Sequence, residues 1–179
     1  HEPQAYRRAG WALLAKDWLR HRLTGEVATD PSDASATLLW DLPADRWADD
    51  VAAAVGLEPE LLPPVAASGD QAGSLRADAA EALGLREGIP VAVGAADTAA
   101  TLLATGLTDP AQVQLTVGTG GQIVRPVVPR PSPASAPRTH LYRAAAPDRW
   151  YAMAAVQNAG LALDWVRRTL RASWSELYG

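Results

Sequence analysis

The 179-residue chain has no cysteine, no phenylalanine, one methionine and, among its 16 basic residues, one lysine, Lys16. Without cysteine there are no disulfides, no thiolate zinc sites and no thiol nucleophile, and a reducing cytoplasm is the default setting. Lys16 stands outside any G-K-[ST] context, so a Walker phosphate loop is excluded. No stretch concentrates arginine as a nucleic-acid groove would, and 16 basic against 20 acidic side chains leave a net charge of −4; no DNA or RNA partner is expected. Long apolar runs are missing too. The longest nearly uncharged stretch, 90–107, is interrupted by Gly94, Asp97 and Gly106, so it reads as strand, turn and helix and not as a membrane span. No signal peptide is visible.

What is present suggests a globular α/β chain long enough to bury a substantial core. Leucine and tryptophan at helical spacing, stopped by Gly25, predict a helix over 9–23. Asp30–Pro31 has the form of a cap followed by a first-turn proline. Further helices are predicted over 46–55 and 76–83, closed by Gly56 and Gly84, with a short strand over 89–93. After Thr108 the rhythm changes to strands over 112–117, 122–128, 141–146 and 150–156, then a helix over 159–170. A domain boundary is placed near residue 108. The stretch RPVVPRPSPASAPR carries five prolines in 14 residues and reads as a mobile surface loop. The seven tryptophans are expected to fill the core, with Trp40 and Trp47 covering a helix junction. The chain begins and ends next to helices and reads as a piece of something longer.

The most informative segment is 88–124, GIPVAVGAADTAATLLATGLTDPAQVQLTVGTGGQIV. It places Asp97 between a buried strand and a helix, in an apolar stretch where an unpaired charge is costly. It then opens into Gly118, Thr119, Gly120 and Gly121, a backbone bare enough to wrap an anion with N–H donors. A carboxylate base beside a phosphate cradle suggests phosphoryl transfer, in which positioning dominates and late proton removal asks little of the base. Each feature also has a plainer explanation. Asp97 fits an N-cap, and GTGG fits a tight hairpin whose glycines supply positive φ. A Rossmann fingerprint fits poorly, because the third glycine is missing and strand follows the turn. His1, His21 and His140 lack ligand spacing, and Asp30, Asp33 and Asp41 read as caps or solvated carboxylates; no metal ligand is assigned.

Four segments carry a family resemblance. KDWLRHRLTGEVATDPSDASATLLWDL (16–42), IPVAVGAADTAA (89–100), LTVGTGGQIV (115–124) and RWYAMAAVQNAGLALDWVRR (149–168) are similar, in order, to stretches of FGGY-type carbohydrate kinases, above all the xylulokinases. The resemblance covers nearly the whole chain. It implies an actin-like ATPase fold of ribonuclease-H-like domains, with residues 1–108 the C-terminal part of the first, sugar-binding domain and 109–179 the N-terminal part of the second, nucleotide-binding domain. It implies ATP and Mg²⁺ as cofactors, a sugar as substrate, no membrane partner and a cytoplasmic setting, and it leaves a homodimer open. The activity implied is phosphorylation of D-xylulose to D-xylulose 5-phosphate, with Asp97 taking the hydroxyl proton.

Residue by residue, the resemblance gives Thr98 the sugar contact made by Asn or Gln in the family, a change that alters it. Gly118, Thr119, Gly120 and Gly121 stand where GTSG faces the nucleotide phosphates, without the hydroxyl at the third position. Gly160 and Asp164 fall where the first helix of the second domain approaches the nucleotide. The D-x-G-T phosphate motif, whose Asp helps hold Mg²⁺, and the glycine-rich adenosine motif are both missing, so this chain alone is not expected to complete the reaction. Kinases of ribulose, gluconate or glycerol and a degenerate, non-catalytic binding module stay open. An actin-like chaperone would share GTGG but not the SDAS and LDW segments.

Overall fold

The computed structural model describes residues 2–127 and 139–178. His1 and the proline-rich stretch 128–138 lie outside them. Helix α1 (Pro3–Arg8) has its proline in the first turn, and α2 (Ala15–Thr24) stops at Gly25, which takes the left-handed φ of 83° that glycine tolerates. The helix expected from residue 9 therefore starts later, because Leu14 is extended. The residues α2 buries are polar: Asp17, Arg20 and Thr24. Helix α3 (Pro31–Ala34) is capped by Asp30, whose carboxylate accepts the N–H groups of Ser32 and Asp33.

Strands β1 (Trp40–Asp41) and β2 (Arg46–Trp47) form a short antiparallel pair before α4 (Asp49–Ala54), so the helix expected over 46–55 is divided. Aromatic pairing outweighs local helix propensity there. The Trp40 and Trp47 rings meet edge to face at 5.3 Å, and Trp47 Nε1 donates to Pro63 O at 2.9 Å. The two rings clasp a hairpin and not a helix junction. Next, β3 (Gln71–Ser74) and β4 (Pro90–Ala92) pair antiparallel around α5 (Ala77–Leu83), which ends at Gly84.

Helix α6 (Asp97–Ala104) leads into β5 (Gln114–Val117), β6 (Gly121–Val127), β7 (His140–Arg143) and β8 (Trp150–Val156), an antiparallel sheet in the order β5-β6-β8-β7. Helices α7 (Gly160–Leu170) and α8 (Trp174–Tyr178) follow. Arg125, Pro126 and Val127, which fall both in the strand expected over 122–128 and in the proline-rich stretch, belong to β6. Pairing with β5 stops at Val124, so beyond it β6 has one edge unpaired among the described residues, where a proline is tolerated.

Helix α6 packs Ala99 and Leu102 against Val124 of β6 and Tyr151 of β8, with Ala95, Ala96, Tyr142 and Met153 around them. This core spans both sides of residue 108. The ladder places Leu115, Val117, Ile123 and Val156 together on the opposite sheet face, where all four are exposed. The tryptophans correct the expectation of a common core role. Trp40 and Trp150 are buried, whereas Trp11, Trp18, Trp165 and Trp174 are exposed, and α7 buries no residue at all.

Candidate active site

Asp97 is the first residue of α6 but not its cap. Ala96 holds the N-cap position, with no side-chain cap bond, and Asp97 Oδ1 instead accepts the N–H of Thr98 at 2.6 Å and the Thr98 hydroxyl at 3.3 Å. Asp97 is exposed and Thr98 half-buried. The penalty expected for a charge in an apolar stretch is thus avoided: Ala95, Ala96 and Ala99 join the core while the carboxylate stays in water. Its charge is still felt by the protein. Burial first, then Tyr142 and Asp97, push the Tyr151 hydroxyl far above the ordinary phenol range.

The chain just before Asp97 is held from several sides. Val93 N–H donates to Asp70 O and Gly94 N–H to Ser68 O, both at 2.9 Å. Val93 O accepts from Arg20 Nη1 at 2.6 Å and from Lys16 Nζ at 3.5 Å. Ala96 N–H donates to Ser32 Oγ at 2.9 Å, and Ser32 Oγ donates to Asp30 Oδ2 at 2.5 Å. The fully buried Asp30 also accepts from Ser68 Oγ at 2.7 Å. Lys16 lies 2.7, 3.3 and 3.4 Å from carboxylate oxygens of Asp17, Asp30 and Asp33. Burial alone would lower the Lys16 pKa, but these carboxylates outweigh it and the result is a raised value. Burial, with the neighbouring Asp30 and Asp17, raises Asp33 against the pull of Lys16. Sequence reasoning read Asp30 as a cap and missed the rest. The available signal was the charged triplet Lys16, Asp17 and Arg20 on one short helix, a spacing that also occurs on solvated faces.

Gly118–Gly121 close the β5–β6 hairpin, but none of these glycines has a positive φ. Gly120 and Gly121 are needed for room, whereas Gly118 is not. A Cβ on Gly120 would meet Val156 O at 2.7 Å and Gln157 O at 3.2 Å; one on Gly160 would collide with the carbonyl oxygen of Gly118. The turn is fastened to the start of α7 by three bonds: Gly160 N–H to Gly118 O and Ala159 N–H to Thr119 O at 2.9 Å, and Leu161 N–H to Thr119 O at 3.3 Å. The cradle expected from all four residues is accordingly smaller, since Gly118 N–H is spent on Gly120 O and the carbonyls of Gly118 and Thr119 face the helix. The N–H groups of Thr119 and Gly120 donate to no backbone carbonyl among the described residues. Gly118 and Thr119 are exposed.

Gly160 is therefore joined to the turn, and Asp164, one turn further along α7, pairs with two arginines. Arg167 reaches its Oδ1 at 2.8 Å and Arg168 its Oδ2 at 2.7 Å. The Arg167 hydrogen bond, aided by both guanidinium charges, lowers the Asp164 pKa. No hydrogen bond or ion pair joins Asp97 to the glycine turn. Both belong to elements of one sheet layer: α6, which Asp97 opens, packs against Val124 and Tyr151, and the turn ends at Gly121, three residues or about 10 Å along β6 from Val124. Among the described residues no group of three or more His, Cys, Asp or Glu is placed to hold a metal ion, so Mg²⁺ is assigned no ligands here. No helix among them is long and apolar enough to cross a membrane.

Residues 1–104 match the N-terminal domain of the FGGY family of carbohydrate kinases. The chain belongs to that family. It is 31% identical over 169 residues to the xylulose kinase of Bacillus subtilis, covering 94% of this chain and 34% of the relative. It is also 36% identical over 137 residues to the autoinducer-2 kinase of Yersinia enterocolitica, covering 76% and 25%. Its structure superposes on a xyloylose kinase from Brucella ovis with a TM-score of 0.86 and 32% identity, over 99% of this chain and 36% of that one. The described residues thus form part of the actin-like ATPase fold shared by FGGY sugar kinases. The chain spans about a third of the length of the relatives it matches.

Proposed function

We propose that this FGGY chain is the central part of an ATP-dependent sugar kinase converting D-xylulose to D-xylulose 5-phosphate. Asp97 accepts the proton of the attacking hydroxyl, and Thr98 beside it contacts the sugar. The N–H groups of Thr119 and Gly120 hold terminal phosphate oxygens of ATP, where fixed donors match the charge that develops on transfer. Gly160 sets the turn against α7, and Asp164 fixes the first turns of that helix through its arginine pairs. Residues 1–108 serve the sugar and 109–179 the nucleotide, in a cytoplasmic setting. Mg²⁺ accompanies the nucleotide through groups other than these.

The observation that carries this reading is an exposed carboxylate opening a helix on one face of a sheet whose hairpin turn presents unspent N–H donors. The similarity to an autoinducer-2 kinase supports a second reading, a substrate other than xylulose. In the full-length gene product, Asp97→Asn is expected to abolish turnover while leaving ADP affinity unchanged; retained turnover removes Asp97 from the mechanism. A coupled ADP-release assay across xylulose, ribulose, gluconate and glycerol selects the substrate, and silence with every sugar indicates a non-catalytic remnant.

A further inference from the structure

The TDPSDAS motif has no part in the chemistry above, yet two of its buried side chains, Asp30 and Ser32, lead to the backbone that carries Asp97. We infer that Ser32, locked by Asp30, is a positioning residue for Asp97, acting through the N–H of Ala96. The inference rests on the proposed role of Asp97 as base.

The geometry is a relay of two bonds, from Ala96 N–H to Ser32 Oγ and from Ser32 Oγ to Asp30. Asp30 is fully buried and its Oδ2 collects Ser32 N–H at 3.0 Å, Ser32 Oγ at 2.5 Å and Ser68 Oγ at 2.7 Å. A hydroxyl that gives its only proton to a carboxylate can meet a third group only as an acceptor. Ser32 Oγ therefore accepts the N–H of Ala96 at 2.9 Å, and Asp30, by holding the hydroxyl proton, keeps the oxygen's lone pairs turned to that N–H. Ala96 is the N-cap residue of α6, next to Asp97, and α6 has no side-chain cap of its own. On the other side of the loop, Arg20 and Lys16 hold the carbonyl of Val93, and Arg20 is itself fixed to Asp17 Oδ1 at 2.9 Å. Val93 and Ala96 are thus pinned to side chains of α2 and α3, and the carboxylate that follows inherits their placement.

A solvated loop would not need this. Ser32 is wholly buried and lies 64 positions from Ala96 in sequence, so the bond is tertiary and not a local turn. Asp97 is exposed and, among the described residues, its side-chain bonds go only to its neighbour Thr98, which moves with it. The backbone is therefore what fixes the carboxylate in space.

The test uses the full-length gene product, with kcat expressed per ADP-binding site so that a loss of folded protein is not counted as a loss of turnover. Ser32→Ala removes the acceptor of Ala96 N–H; a shift of the base by about 1 Å corresponds to roughly a hundred-fold fall in kcat, with ADP affinity and sugar KM unchanged. A merely structural role lowers the folded fraction and leaves kcat per site intact, and that result overturns the inference. If the alanine variant does not fold, Ser32→Cys carries the test, being close in shape but a weaker acceptor: a smaller fall in kcat at unchanged KM supports the role, and unaltered kcat overturns it. Retained turnover in Asp97→Asn overturns the base assignment and this inference together. Lost turnover there, with full turnover in Ser32→Ala, overturns the positioning role alone.

Discussion

Gly160→Ala tests whether the glycine turn and α7 are one unit. On an open helix surface the exchange would stabilise by up to about 1 kcal/mol, through helix propensity and a less flexible unfolded chain. Here the new Cβ lands on the carbonyl oxygen of Gly118, with Gly118 C at 3.2 Å behind it. Both partners are backbone, so neither can swing away, and overpacking of this kind costs roughly 1–3 kcal/mol. Parting the two elements also weakens the bonds Gly160 N–H to Gly118 O and Ala159 N–H to Thr119 O, each worth about 0.5–1.5 kcal/mol net. The penalties exceed the gain, and the expected result is a loss of about 2 kcal/mol by urea unfolding of the full-length protein. Because Thr119 and Gly120 move with the turn, ADP affinity should fall about ten-fold, the equivalent of roughly 1.4 kcal/mol. Gly118→Ala is the control: its Cβ would meet only Gly120 O at 4.0 Å, so stability should barely change. Gly160→Ala as stable as the parent, with ADP titration unchanged, refutes the claim that close approach explains the glycine.

Two further substitutions probe the charged groups. The raised Lys16 pKa means the folded state holds that proton more tightly than the unfolded chain. The stability it contributes is therefore complete below the reference value of 10.5 and lost as pH rises through the folded value. Lys16→Met should flatten stability above pH 10.5 in denaturant titrations, and equal slopes for the two proteins would contradict the assignment. Arg143 is buried, pairs with Asp45 at 2.9 Å, donates to Arg149 O at 3.1 Å and lies 4.5 Å from the Trp150 ring centre. Arg143→Ala is expected to cost about 2–3 kcal/mol, and a loss below roughly 0.5 kcal/mol in the same assay, the range of ordinary surface changes, counts against it.

The sequence by itself determined the local punctuation: Gly25 and Gly84 ending helices, Asp30–Pro31 starting one, the antiparallel strands after Thr108 and the segments that mark the family. These features depend on φ preferences, caps and short-range periodicity, which a linear reading contains. It also singled out Asp97 and the glycine turn. What it could not contain was which partner each group would find. The Trp40–Trp47 pairing that divides a predicted helix, the close approach that explains Gly120, Gly121 and Gly160 at ordinary φ, and the exposure of Asp97 all come from contacts made across the fold. The bond from Ala96 to Ser32, which Asp30 holds, crosses 64 positions, and no local pattern announces it. Only tertiary structure decides such distances, because burial and hydrogen-bond satisfaction are settled between segments and not within them.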